Sequence, residues 1–147
     1  MNEAAVDADR FGQEERILRL FAFMSRHQTY KRGLNTFLNE MMADYRNIGD
    51  TEFMQFKNLL FDSINLLSRA AIPELSPKKN WNVCEAAIIG IMTNLERGSF
   101  VGEHEIEEAS KRYYALINNE DLREGVMQPK KVSTRIDAAI DSYSVLH

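Results

Sequence analysis

His104 and Glu108 stand four residues apart on a predicted helix, as do Glu103 and Glu107. Side chains at that spacing share a helix face and can hold one metal ion. A metal centre takes three or four ligands, and no second histidine cluster accompanies these two, because His27 and His147 lie near the ends of other segments. Glu103, Glu105, Glu107 and Glu108 are better explained as carboxylates complementing the positive end of a helix dipole, with Lys111 and Arg112 further along. Cys84 could be a nucleophile activated near a helix start. It sits beside Val83 and Ala87 in the most apolar segment of the chain, where a lone cysteine behaves as a small buried hydrophobe. No P-loop, nucleophile-elbow motif or dinucleotide-binding glycine series is present. The expectation is therefore a chain without catalytic residues, metal or cofactor.

Three small basic groups could contact phosphate. They are Lys31-Arg32 after Arg26-His27 and Tyr30, Lys78-Lys79 ahead of Trp81, and Lys130-Lys131 ahead of the last predicted helix. Cations next to aromatics suit phosphate contact combined with base stacking. All of them fall at helix ends or in loops, where basic residues also serve solubility. The formal net charge of −4 argues against a protein that coats nucleic acid over its whole surface. Trp81 reads as a core or interface anchor.

The composition is that of a soluble globular domain: 147 residues, 44% hydrophobic and 27% charged. A chain of this length buries enough surface to fold without a disulfide, and its single cysteine cannot form an intramolecular one. A reducing, cytoplasmic setting is expected. The acidic N-terminus and the short apolar runs predict neither a secretory signal nor a membrane span.

The element that must position the rest is Asn80–Leu95. Past Glu85 it is apolar on nearly every side, which describes a helix enclosed by others. Asn80 and Asn82 read as its caps. Every other segment has one apolar face. A first helix over about 11–27, after a flexible lead-in at 1–10, carries Ile17, Leu20, Phe21 and Met24, widened by Leu18, Ala22 and Phe23. A second, closed by Asn47-Ile48-Gly49, carries Leu34, Phe37, Leu38, Met41, Met42 and Tyr45. A third, to about Ala70, carries Phe53, Phe56, Leu60, Ile64 and Leu67. Pro73 and Pro77 predict a loop before the central helix. Two more helices follow, with Ile106, Ala109, Tyr113, Leu116 and Ile117 on one and Val132, Ile136, Ala139, Ile140 and Tyr143 on the other; Asn119 caps a short turn between them, and Gly125 with Pro129 forms a break. No segment alternates with period two. The expected fold is a single all-α domain over 11–147, a compact bundle of about six helices around a buried central helix at about 81–97.

Three ordered segments carry a resemblance. They are Glu15–Ala22 with Tyr30, Gly33 and Phe37–Met42; Asn80–Ala86; and Lys111–Leu122 followed by Val132 and Arg135-Ile136. This set resembles the C-terminal helical part of the GmrS-like half of GmrSD-type, modification-dependent restriction proteins, a prokaryotic family of antiviral defence. In that family a ParB-like nuclease region with an Asp-Gly-Gln-Arg-type motif lies ahead of the helical part, and some members carry a His-Asn-His-type nuclease further on. This sequence has no Asp-Gly dipeptide. What the resemblance implies is a detached helical module from which no catalytic residue can be carried over. Its expected role is a non-catalytic scaffold packing on a ParB-like partner region or on a second copy, with Phe11, Leu18 and Phe23 on the first helix, and Trp81, as candidate interface residues. The alternative expectation is nucleic-acid binding through the basic groups.

Overall fold

The structure, a computed structural model, describes residues 3–31, 33–70, 77–98, 106–119 and 128–144. Among the described residues six helices occur in the order α1 (Glu3–Arg26), α2 (Leu34–Asp44), α3 (Asp50–Ala70), α4 (Pro77–Glu96), α5 (Ile106–Ile117) and α6 (Pro129–Ser144), with a 3-10 turn at His27–Thr29 after α1. The described residues contain no strand, and the all-α reading holds.

Two prolines expected to break the chain instead start helices. Pro77 opens α4 and Pro129 opens α6. Proline's fixed φ suits the first helical turn, and its missing N–H has no partner to lose there. Asn80 and Asn82 therefore lie inside α4 and are not its caps. At the other end α4 stops at Gly98, whose φ of +70° suits glycine, while the Gly98 N–H donates to the Leu95 carbonyl at 3.0 Å. Helix α1 begins at Glu3, inside the stretch expected as a lead-in over 1–10, where Ala4 and Ala5 are strong helix formers. The sequence-derived readings at Pro73, Glu103–Glu105, His104, Leu122 and Gly125 lie outside the described residues.

Helix α4 packs against α6, α3, α1 and α5, so the central position expected of it is the observed one. Val83, Cys84, Ala86, Ala87, Ile88, Ile89, Ile91 and Met92 are all buried. Three pairings align α1 with α4: Arg16 lies over Trp81, Arg19 meets Glu85, and the Thr93 hydroxyl donates to the Met24 sulfur. They advance together along both helices, so α1 and α4 run in the same direction. Helix α6 shares it, because Arg135 acts on Glu85 while, further along both helices, Ala139 abuts Gly90; there the Asn94 amide donates to the Gly90 carbonyl at 2.8 Å and the Ile140 carbonyl at 3.0 Å. Three co-directional helices thus form the spine of the fold.

Helix α1 buries two faces. Phe23 stacks on Phe37, with centroids 5.4 Å apart, and meets Tyr30 edge-on. Phe21 on the other side meets Tyr45 and Phe56 at 5.1 and 4.6 Å. Phe23 is therefore core and not part of an exposed patch, which corrects its reading as an interface residue; Leu18 is half-buried, and the side chain of Phe11 lies outside the described residues. Ile17, placed by periodicity on the buried stripe, is exposed.

At the α4–α6 seat the backbones touch. A Cβ on Gly90 would stand 2.8 Å from both the backbone carbon and oxygen of Ala139, and backbone cannot swing aside. Gly90→Ala is expected to lower stability by about 1–3 kcal/mol despite alanine's higher helix propensity, read as a reduced urea midpoint. An unchanged or raised midpoint would show that α6 does not sit this close.

Candidate docking clefts and the buried charge cluster

The spine holds ionic groups where sequence periodicity places hydrophobes. Glu85 and Arg135 are each only 2% exposed, and Arg19 is also buried. The Arg19 guanidinium donates to Glu85 Oε1 at 3.0 Å. Trp81 precedes Glu85 by one helical turn, and Arg16 precedes Arg19 by three residues, so the two pairs face each other across α1 and α4. The Arg16 guanidinium lies 4.9 Å from the Trp81 ring centre. Burial pushes the Glu85 carboxyl up from its ordinary value, against the opposing pull of Arg19, Arg135 and the Trp81 indole. Burial likewise lowers Arg135, with Glu85 opposing. Tyr30 is raised by burial and held back by Arg19 and Arg135, so it belongs to the same cluster. These groups join α1, the segment after the 3-10 turn, α4 and α6.

The Cys84 thiol is pushed up to about 12 by burial, with Glu85 adding to the effect, and so stays protonated. Burial raises the neighbouring Tyr143 hydroxyl as well. Among the described residues no group of three His, Cys, Asp or Glu side chains could hold a metal.

Two clefts open at the other end of the spine. The first, about 690 Å³, has Phe21, Met24, Tyr45, Phe56 and Leu59 for its apolar wall and Glu52, Asp62 and Glu96 at its rim. The second, about 820 Å³, shares Met24, Ser25 and Glu96 with the first and adds His27, Arg97, Asp137 and Asp141. The shared residues make one continuous trough. Its edges are fixed by polar ties: the His27 Nδ1–H donates to the Phe23 carbonyl at 3.1 Å while Nε2 meets Asp137 Oδ1 at 3.1 Å, and Arg26 pairs with Asp44 and covers Tyr45. Glutamates and aspartates at these positions carry no periodic signal, so the trough was not readable from the sequence.

A separate apolar surface lies on α3. Phe53, Met54, Phe61 and Ile64 are exposed, Phe61 to 57%, and Lys57 stands over the Phe61 ring. These four positions fall within a sector of about 100° on the helix. Phe53 and Ile64 were expected on the buried stripe, yet the face that meets α4 and α5 is built from Leu60, Ser63 and Leu67.

Four of the predicted phosphate-contact residues fall at helix starts away from the trough. Lys78 and Lys79 lie in the first turn of α4, and Lys130 and Lys131 in the first turn of α6. Lys31 is exposed and follows Thr29, which lines the second cleft, by two residues. Arg32 and the side chains of Lys78 and Lys79 lie outside the described residues. Trp81 is half-buried beneath Arg16 and acts as an anchor of the α1–α4 contact.

No helix among the described residues is long and apolar enough to cross a membrane. What the fold and its surfaces define is an all-α bundle with a charged interior, an acidic trough and an apolar outer helix. Comparisons with family models, curated proteins and solved structures return no match.

The raised Glu85 carboxyl has a definite pH signature. A carboxyl whose folded pKa lies above its unfolded value, near 4.5, contributes stability that is fully present below 4.5 and lost as pH rises through the folded value. In urea titrations between pH 4 and 7, the wild type is expected to lose ground relative to Glu85→Gln as pH rises, by at most about 1.4 kcal/mol per pH unit. The opposite slope would mean that the two arginines outweigh burial.

Proposed function

We propose that this chain is a non-catalytic helical interaction module of a GmrSD-like prokaryotic defence protein, packing on a ParB-like partner region or on a second copy of itself. The observation that carries the reading is the exposed apolar sector of α3, where Phe53, Met54, Phe61 and Ile64 lie outside the core. Contiguous apolar surface of this kind marks contact sites on soluble domains. A second support is convergence: Arg16, Arg19, Tyr30, Trp81, Glu85 and Arg135, all drawn from the segments that carry the family resemblance, meet in the buried charge cluster. A rigid charged interior with an apolar outer helix suits a scaffold. In size-exclusion chromatography with light scattering, the chain mixed with a ParB-like domain encoded by an adjacent gene is expected to elute as a complex, or alone as an oligomer, and Phe61→Glu to disperse either. A strict monomer under both conditions would sink the proposal.

One observation favours the nucleic-acid reading. The co-directional packing of α4 and α6 brings two Pro-Lys-Lys helix starts, Pro77–Lys79 and Pro129–Lys131, to the same end of the spine. Lysines there oppose the helix dipole, so they serve local helix stability poorly, whereas a helix N-terminus with added cations suits a phosphate backbone. This reading predicts retention on duplex DNA that falls steeply with salt and disappears in Lys130→Glu/Lys131→Glu. Elution in the void at low salt would remove it.

A further inference from the structure

The trough lies where two of the three co-directional helices end. Helix α1 finishes at Arg26 and α4 at Glu96, so the negative ends of both dipoles point to the region that also gathers Glu52, Asp62, Glu96 and Asp141. Among the described residues the first cleft has no lysine or arginine in its lining. In the second, Arg26 is tied to Asp44 and His27 to Asp137, leaving Arg97 against Glu96 and Asp141 in the lining. Beneath the carboxylates runs an apolar wall of Phe21, Met24, Phe56 and Leu59, each only half-buried by the chain itself.

We propose that this trough is the docking groove for a cationic amphipathic helix of a partner protein, which sets apolar side chains on the Phe21–Phe56 wall and lysine or arginine against Glu52, Asp62 and Glu96. The spacing of the acids argues for an extended occupant. Glu52 and Asp62 are ten residues apart on α3, about 15 Å along its axis. A small cation meets one carboxylate at a time, whereas a helix of three turns spans that distance and alternates apolar and charged positions over it. A nucleic acid is disfavoured, because its phosphates would face the same carboxylates. The inference rests on the interaction-module reading and names the partner chemistry for a surface distinct from the exposed face of α3.

The test uses the whole chain and a synthetic leucine–lysine amphipathic peptide of about fourteen residues, with a twin carrying glutamate for lysine, followed by fluorescence anisotropy. The lysine peptide is expected to bind and its twin not to bind. Glu52→Lys/Asp62→Lys should weaken binding by at least about tenfold, whereas Glu15→Lys/Glu40→Lys, with the same change in net charge at exposed sites outside the trough, should weaken it far less. Ser25→Trp, which fills the junction of the two clefts without altering charge, should also abolish binding. Equal loss in both charge-reversed variants, or undiminished binding by Ser25→Trp, would overturn the groove. So would a wild-type oligomer dispersed by Ser25→Trp, since the occupant would then be a second copy. Failure of the lysine peptide to bind the wild type overturns the groove while leaving the module intact; absence of any ParB-like complex or oligomer overturns the module itself.

Discussion

The rest of the fold depends on one carboxylate held inside the spine. Glu85 lies on the most enclosed helix, between an arginine from α1 and another from α6, and both arginines are themselves buried. A charge taken out of water is costly unless its neighbours compensate, so an approach of α1, α4 and α6 that brings both arginines to Glu85 is favoured over one that leaves it alone. Hydrophobic burial alone tolerates many rotations of one helix against another. The ionic cluster favours the observed one, in which Arg16 also covers Trp81 and Tyr30 closes beside the arginines.

That arrangement has a consequence at each end. Helices that run the same way align their dipoles, so the end carrying the α4 and α6 starts is positive and the end where α1 and α4 finish is negative. The side chains amplify the asymmetry: Lys-Lys follows proline at both helix starts, and Glu96, Asp137 and Asp141 gather at the far end. A chain with a modest net charge of −4 is thereby strongly polarised. Surfaces of opposite character at the two ends are available to different partners without a conformational change.

Close backbone contact holds the polarity in place. Gly90 lets α6 approach until Ala139 touches α4, and Asn94 stitches the same seam with two donated hydrogen bonds. Helix α3, by contrast, gives only a narrow face to the core and carries acidic residues on one flank and exposed aromatics on the other. It borders the trough and presents the apolar sector, so both proposed contact surfaces involve this one helix.

By itself the sequence determined the helical class, the central place of α4 and the buried face of α6, because periodic apolar residues report which side of a helix avoids water. Val132, Ile136, Ala139, Ile140 and Tyr143 all lie where periodicity places them. It misplaced Phe23, Phe53 and Ile64 because a helix with surplus apolar residues has several admissible faces, and only its neighbours select one. Pro77 and Pro129 were read as breaks because proline stops a helix or starts one according to the residues that fold after it. Glu85 was visible as a charge beside an apolar run and Arg135 as a charge within an apolar stripe, but their electrostatic interaction spans fifty residues. Only tertiary structure could decide it, as it alone decided the trough, whose carboxylates come from α3, α4 and α6 and share no local pattern.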